Sequence, residues 1–393
     1  MATDRKRNLA RLMRLICAGE PVTRVELARR SGLSTVAVTN LVTELIGAGV
    51  VADLGAVPAS GPGRPAGRVA AAPEGPVGIG LCFDVDYVAG CVVDLRGRPR
   101  HRELRRVNIT GTEPADAVRA ARPVLRRLFE QAVTTDRLVA GVTVAVEGVI
   151  EHDRDGYPTV HRAPSLGWRD ADLRALVERE LAALGAHGVP AEIGGGAGYA
   201  AAAEDIEGGT ALYVGGEAEL GAVLVTAGAA HRGAAGAAGL LGHVPVRQRG
   251  RPCPCGLRGC LDRYAGRRAM AEAAGVDEAA VSRLLTGEDP FARRLHAGDG
   301  VATAAAGTAA HRLADALAGP LAVLDPATVV LGGRLAALGE PFAGPLRRRL
   351  ADQHPWALLR LGQRGPDAAL LGAARGALAE VLTDPVGWAD RSP

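Results

Sequence analysis

Three cysteines lie within eight residues near the middle of the chain, in the order Cys253-Pro254-Cys255-Gly256-Leu257-Arg258-Gly259-Cys260. Thiolates at this spacing fill three corners of a tetrahedral Zn²⁺ site, and the glycines permit the tight turn between them. His243, upstream of the cluster, is the obvious fourth ligand. Four protein ligands predict a closed, structural zinc ion that stabilises the fold and performs no catalysis. The alternative is three reduced cysteines that share a loop by chance, which this spacing disfavours.

The remaining cysteines, Cys17, Cys82 and Cys91, are interpreted as core residues. The N-terminus is charged and lacks the apolar core of a signal peptide. No stretch contains the roughly 18 uninterrupted apolar residues of a membrane span. We therefore expect a cytoplasmic protein without membrane insertion, in which reduced thiols or a metal site are more typical than disulfides.

A second stretch that could carry function runs from Thr23 to Gly49. Thr23 and Glu26 form the pattern of a capping box, which predicts a short helix that ends at Gly32. Its apolar side is formed by Val25, Leu27 and Ala28. Ser34 then caps a second helix. Apolar residues recur on that helix at the spacing of one buried face: Val38, Leu41, Val42, Leu45 and Ile46.

The opposite face of the second helix is small and uncharged: Thr35, Val36, Thr39, Asn40 and Thr43. Two helices joined by a Ser-Gly-Leu-Ser turn predict a helix-turn-helix whose second helix enters the major groove of DNA. An ordinary helical bundle is the alternative, but it usually exposes Lys and Glu. The threonines and Val36 suit thymine methyl groups, and Asn40 suits adenine. We expect Thr23, Arg24 and Ser34 to contact phosphates.

Two short predicted strands follow the helix-turn-helix, at 50–53 and 67–70, and make it a winged variant. The loop between them contains Gly63-Arg64-Pro65, followed by Arg68. Arginine beside proline suits a narrow minor groove, although a solvated linker is the alternative. The first 70 residues carry a net charge of +5 and the remainder −2, which is the distribution expected for phosphate contacts.

The rest of the chain predicts an α/β body in two similar halves. Each half contains a strand, a loop, a second strand and a helix, which indicates a duplicated domain with a cleft between two lobes. The predicted divisions are a winged helix-turn-helix at 1–70, a linker at 71–76, a first lobe at 77–190 and a second lobe at 191–366. The second lobe carries the zinc knuckle, and a C-terminal helix at 367–383 packs back on the first lobe.

This layout resembles the ROK family, which contains bacterial sugar kinases and transcriptional repressors. The strongest likeness is Ala238-Gly239-Leu240-Leu241-Gly242-His243 followed by the cysteine knuckle, supported by Ala163-Pro164-Ser165-Leu166-Gly167-Trp168. The likeness covers nearly the whole chain. It implies an actin-like, sugar-kinase-like body and zinc held by His243, Cys253, Cys255 and Cys260.

Several positions depart from the pattern of the family's kinases. Cys82-Phe83-Asp84 stands where an Asp-x-Gly would help to bind ATP, and Gly195-Gly196 stands where an Asn-Asp pair would supply the catalytic base. The second phosphate loop contains Glu219, whose carboxylate repels phosphate. Loss of a general base alone typically costs about 10²–10⁴-fold in rate. The sequence therefore predicts no phosphoryl transfer and no use of ATP.

The sugar-binding positions have changed as well. Ser165 stands where the family has an Asn, and Leu240 stands where it has a Glu. His243 is kept, and Asp262 replaces a Glu by a shorter carboxylate. With Gly195 and Gly196, these residues predict a smaller, more apolar effector cleft. We expect it to bind a less polar effector than a sugar, or none.

The sequence thus favours a transcriptional regulator of the repressor type with a catalytically inactive body. It would bind a pseudo-palindromic operator in double-stranded DNA as a homodimer or a dimer of dimers. One alternative is a sugar kinase that phosphorylates a hexose with ATP and carries an accessory head. The other is a protein-binding module that relieves repression without a small ligand.

Overall fold

The computed structural model describes residues 2–56, 67–206, 208–216, 219–277 and 289–391. The N-terminal head contains three helices: α1 (Ala2–Cys17), α2 (Arg24–Ser31) and α3 (Thr35–Gly47). Its sheet has the order β1-β3-β2, with β1 at Val22–Thr23, β2 at Val51–Ala56 and β3 at Gly67–Ala71. The hairpin of β2 and β3 confirms the predicted wing strands, whereas β1 was not predicted. Gly63-Arg64-Pro65 lies outside the described residues.

Local capping explains where α2 and α3 begin. The hydroxyl of Thr23 accepts from the backbone N–H of Glu26 at 3.1 Å, and that of Ser34 accepts from Ala37 at 3.2 Å. Gly32 ends α2 with a φ of 68°, in the left-handed region that glycine tolerates. The Glu26 carboxylate pairs with Arg29. Val25 is 64% exposed, so its predicted place on the apolar side of α2 is wrong.

The first lobe is built on a five-stranded sheet in the order β11-β7-β4-β5-β6. Its strands are β4 (Val77–Asp84), β5 (Tyr87–Val93), β6 (Pro99–Arg106), β7 (Val139–Val146) and β11 (Ala191–Gly195). Helices α4 (Pro114–Thr134) and α5 (Leu173–Ala183) belong to this lobe, as does a small sheet of β8 (Val149–His152), β9 (Pro158–Ala163) and β10 (Trp168–Ala171). Because β11 pairs with β7, the first sheet extends past the boundary predicted at residue 190.

The second lobe repeats this sheet. Its strands are β12 (Thr210–Gly215), β13 (Gly221–Thr226), β14 (Ala229–Ala230), β15 (Thr328–Leu331) and β16 (Leu358–Leu361), in the order β14-β13-β12-β15-β16. In both sheets the first strand pairs antiparallel with the second and parallel with a later strand. The identical pattern supports the predicted duplication.

The helices of the second lobe surround its sheet and supply an alanine- and leucine-rich core. They are α6 (Gly196–Ala203), α7 (Asp262–Ala265), α8 (Arg267–Ala273), α9 (Pro290–His296), α10 (Gly300–Leu324), α11 (Gly333–Ala337) and α12 (Glu340–Gln353). The buried cluster of this lobe joins α10 and α12 to strands β12 and β15. The cleft between the lobes therefore lies between two firmly packed cores.

The C-terminal segment returns to the first lobe. The single helix predicted at 367–383 is wrong, because the chain forms α13 (Ala368–Gly376) and α14 (Ala379–Thr383), followed by an unpredicted α15 (Pro385–Arg391). Helix α13 lies very close to β4: a Cβ placed on Gly80 would stand 2.7 Å from the backbone nitrogen of Ala374. Glycine at this position permits the close contact.

The head and the trunk share one hydrophobic cluster. It includes Leu12 and Leu45 of the head, Tyr87 of the first sheet, and Val381 and Trp388 of the C-terminal helices. Two ion pairs lie across the same junction: Lys6 with Asp384 at 3.0 Å and Arg98 with Glu20 at 3.9 Å. The C-terminal helices therefore connect the head to the body.

Candidate functional site

The outer face of α3 presents the residues that the sequence predicted for DNA reading. All of them are exposed: Thr35, Val36, Thr39, Asn40 and Thr43. The inner face packs into the head through Val38, Leu41, Val42 and Leu45, as predicted. Val36 is 73% exposed, although a valine is usually placed in a core. The face is thus small, uncharged and available to a partner.

Two threonines on this face already use their hydroxyl hydrogens within the helix. The hydroxyl of Thr39 donates to the carbonyl of Thr35 at 2.8 Å, and that of Thr43 donates to the carbonyl of Thr39 at 2.9 Å. Such back-bonding is common for threonine in helices. It leaves methyl groups and hydroxyl lone pairs for contact with a partner.

The residues that were predicted to contact DNA phosphates differ from one another in their surroundings. The guanidinium of Arg24 donates to Asp53 of β2 at 2.9 Å and thereby ties α2 to the wing. Thr23 caps α2, and Ser34 caps α3. Arg68 is exposed on β3, opposite Thr23 in the sheet. Arg64 lies outside the described residues.

The structure brings the four predicted metal ligands together. One ligand atom from each of His243, Cys253, Cys255 and Cys260 lies within 4.8 Å of all the others. The Sγ of Cys253 is 3.6 Å from Nδ1 of His243, and the Sγ atoms of Cys255 and Cys260 are 3.6 Å apart. A tetrahedral site with Zn–S bonds of about 2.3 Å has ligand separations of about 3.8 Å. The cluster therefore fits a tetrahedral metal ion.

The backbone of the knuckle explains this convergence. The N–H of Cys253 donates to Leu257 at 3.0 Å, and the N–H of Gly256 donates to Cys253 at 2.9 Å, which closes a tight turn. Gly256 has a φ of 92°, which a side chain would strain. Arg162 of β9 donates to the carbonyl of Cys255, so the knuckle also contacts the first lobe.

The imidazole of His243 connects the metal cluster to the cleft. Its Nδ1 faces Cys253, and its Nε2 lies 3.3 Å from a carboxylate oxygen of Glu219. Metal-bound histidines usually donate their second ring N–H to such an acceptor, which fixes the ring orientation. The hydrogen bond that the imidazole donates to the Glu219 carboxylate also raises the pKa of His243.

The predicted cleft residues are distributed over separate cavities. Gly195, Leu240 and His243 line a cavity of about 220 Å³, whose other lining residues include Glu147 and Arg232 as well as alanines and glycines. Ser165 and Asp262 line a second cavity of about 520 Å³. Gly196 lines a small pocket beside Ser165. Charged side chains line both of these cavities, so the smaller, more apolar cleft expected from the sequence stays a prediction.

Glu219 separates the two larger cavities and lines both of them. It accepts a hydrogen bond from the hydroxyl of Ser165 in the first lobe, while its other oxygen faces His243 in the second. Its side chain is 11% exposed. The sequence indicated a carboxylate that repels phosphate but gave no sign that Glu219 joins the two lobes.

Glu147 is a cleft residue that the sequence analysis missed. It follows β7, and its carboxylate occupies the space beside Gly196 where a Cβ would stand. It also lines the cavity that contains Gly195 and His243. A lone glutamate after a strand carries no sequence signal of this role, because its position depends on the fold that brings Gly196 next to it.

Two aspartates in the larger cavity have unusual acidities. Burial, assisted by the nearby charge of Asp84, raises the pKa of Asp86 to about 6. Burial, assisted by Glu219, raises the pKa of Asp262 to about 6. The cavity therefore concentrates carboxyl groups that are poorly solvated.

Within the described ranges, we find no helix whose length and apolar character would suit a membrane span.

Some known proteins are similar to most of this chain, and others are similar to nearly all of it. Residues 79–380 match the model of the ROK family. A xylose repressor of Caldicellulosiruptor bescii is 25% identical over 350 residues, which are 86% of this chain and 85% of that protein. The crystal structure of a ROK family transcriptional regulator, a homologue of the E. coli MLC protein, covers 99% of this chain and 100% of that chain, with a TM-score of 0.75 and 18% identity.

A kinase structure matches the trunk alone. The ROK family glucokinase from Streptomyces griseus, solved with glucose and AMPPNP, covers 76% of this chain and 98% of that chain, with a TM-score of 0.62 and 24% identity. The match to the family model extends over most of the chain and includes both lobes and the cysteine knuckle. The protein therefore belongs to the ROK family.

Proposed function

We propose that this protein is a DNA-binding transcriptional regulator, a repressor, whose helix α3 reads base edges in the major groove. The observation that carries the proposal is the exposed, uncharged face of α3, formed by Val36, Thr39 and Asn40, on a helix whose opposite face is buried in the head. The similarity to a xylose repressor over most of both chains supports it.

A homodimer is the second part of the proposal. Two copies joined through their trunks would place two α3 helices in successive major grooves, about 34 Å apart, on a pseudo-palindromic operator. Asn40 would pair with adenine, and the threonine methyl groups would contact thymine. Arg24 would contact a phosphate near its ion pair with Asp53, and Arg64 and Arg68 would belong to the wing.

Replacing Asn40 by alanine tests this arrangement. A good bidentate contact contributes about 1–3 kcal/mol of discrimination, so the variant should lose this free energy at one base pair of each half-site. Arg24→Ala should instead weaken binding to all sequences and flatten the salt dependence. Asn108→Ala, an exposed asparagine of the trunk, is the control. Binding profiles from a randomised duplex library that are unchanged in both head variants would contradict the placement of α3.

We also propose that the cysteine knuckle holds a structural Zn²⁺. His243, Cys253, Cys255 and Cys260 would supply the ligands, with Glu219 orienting the imidazole. The ion would fix the knuckle against the second lobe. All four positions come from the protein, so no coordination site remains for a substrate.

We infer that the cleft does not transfer phosphate. Gly195 and Gly196 offer no side-chain acceptor for a proton, and the carboxylate of Glu219 lies in the cleft between the lobes. One observation favours the alternative of a sugar kinase: Glu147 places a carboxylate beside Gly196. Its oxygen could accept a proton from a hydroxyl group in the adjoining cavity.

A coupled assay of ATP turnover with a panel of hexoses distinguishes these functions. We expect no turnover above background for the zinc-loaded protein and the same result for Glu147→Gln. Turnover that Glu147→Gln reduces by about 10²-fold or more would establish the kinase instead, since that is the usual effect of losing a general base.

A further inference from the structure

The chain crosses between the two lobes twice. It leaves the first sheet at β11, runs through α6 and enters the second sheet at β12. It returns from β16, at the edge of the second sheet, to α13, which lies against β4 of the first. Two connections of this kind form a hinge about which two lobes can turn. Contacts between the two connections therefore decide how freely the lobes move.

The connection that follows α6 accepts hydrogen bonds from the connection that follows β16. The carboxylate of Glu204 accepts from the backbone N–H groups of Gln363 at 2.7 Å and Arg364 at 3.1 Å. Glu204 is only 9% exposed. A Cβ placed on Gly362 would stand 2.5 Å from this carboxylate, so the glycine leaves room for it. Two charge-assisted hydrogen bonds thus hold the connections in one arrangement.

Asp205 extends this contact to α13. Its carboxylate accepts from Arg364 at 2.6 Å and from Arg375 of α13 at 3.1 Å. Both guanidinium groups also donate to the carbonyl of Ala203, at 2.9 Å and 3.3 Å. The backbone of Asp205 has a φ of 47°, a left-handed conformation that aspartate adopts more readily than most residues. We call Glu204, Asp205, Arg364 and Arg375 the hinge clasp.

Arg375 also lies against the turn that joins β5 to β6. A Cβ placed on Gly97 of this turn would clash with Nε of Arg375. The next residue, Arg98, pairs with Glu20 of the head at 3.9 Å. Leu95 of the same turn belongs to the hydrophobic cluster that the head and the trunk share. One arginine side chain therefore contacts both the hinge and the turn that supports the head.

We propose that the hinge clasp couples the angle between the lobes to the position of the head, with Arg375 as the residue that links them. Turning one lobe against the other pulls the two connections apart and separates Asp205 from its arginines. The freed Arg375 then packs less firmly against the Gly97 turn, and the head loses support there. The proposal concerns the linkage between trunk and head, and it does not depend on what either of them binds.

Hydrogen exchange of the full-length protein, followed by mass spectrometry, tests the proposal. Asp205→Asn removes the negative charge that both arginines share, at a position outside the head. We expect amide exchange to accelerate about threefold to fivefold in the turn at 94–98 and in the head at 17–22, the effect of losing a largely exposed ion pair. Asp315→Asn is the matched control, since that aspartate pairs with Arg349 between α10 and α12. It should leave exchange in both segments unchanged.

A second variant and a double variant test the role of Arg375. Arg375→Gln should accelerate exchange in the same two segments, and adding Asp205→Asn to it should have no further effect there. Thermal unfolding checks that each variant is folded, and Arg375→Lys replaces Arg375→Gln if the latter is not. The proposal is overturned if Asp205→Asn accelerates exchange only within the two connections, if Asp315→Asn acts equally on the turn, or if the effects of the two single variants add.

Discussion

Replacing Cys255 by serine is expected to lower the zinc content of the purified protein and to reduce its free energy of unfolding by about 3 kcal/mol. Structural zinc contributes roughly 10–16 kcal/mol of apparent binding free energy in small zinc domains, and the loss of one ligand weakens this contribution. The geometric basis is the convergence of three thiols and one imidazole within 4.8 Å. Metal analysis by mass spectrometry and urea unfolding measure the two effects.

The control is the same substitution at a cysteine that has no metal role. Cys17 is half-buried in α1 and lies in the hydrophobic cluster of the head. Cys17→Ser should retain full zinc content and change stability by no more than about 1 kcal/mol. A Cys255→Ser protein with undiminished zinc and the stability of Cys17→Ser would show that the knuckle does not hold a structural ion.

Replacing Trp388 by alanine is expected to cost about 3–5 kcal/mol of stability, the usual range for a buried tryptophan. Trp388 is 7% exposed and belongs to the cluster shared by the head and the trunk. Its loss should loosen the junction, so limited proteolysis near residues 67–76 should accelerate together with the fall in stability. Urea unfolding followed by circular dichroism gives the free energy.

A matched tryptophan is available on the surface. Trp356 is 57% exposed and contacts only the ring of His354 among the aromatic pairs of the described residues. Trp356→Ala should cost less than about 1.5 kcal/mol, the range of an aromatic pair. Equal losses in the two variants would mean that α15 does not hold the head against the trunk.

Local signals allowed the head and the metal site to be predicted. Thr23, Ser34 and Gly32 mark helix ends by chemistry that acts within a few residues, and the structure confirms each of them. The three cysteines of the knuckle also lie within eight residues of one another, so the sequence alone shows that they are close together. The duplicated strand–loop–strand pattern also predicted one hairpin in each lobe, and the structure has them in β4 with β5 and in β12 with β13.

Features that depend on distant contacts could not be predicted in the same way. Strand β1 has two residues and exists because β3 pairs with it. The break between α13 and α14 falls at Ala377 and Leu378, directly after Gly376, and no proline marks it. The positions of Glu147 and Glu219 depend on side chains far away in the sequence, and so does the cavity of about 520 Å³, which joins residue 106 to residues 263–268.

The proposed role of the exposed face of α3 is to read DNA. Selection from a randomised duplex library by the purified protein tests it most directly, with Val36→Glu as the comparison because Val36 is 73% exposed and contributes no core packing. We expect an enriched pseudo-palindromic sequence whose half-sites lie about 10 base pairs apart, and loss of that enrichment in Val36→Glu. No enriched sequence, or the same sequence enriched by both proteins, would contradict it.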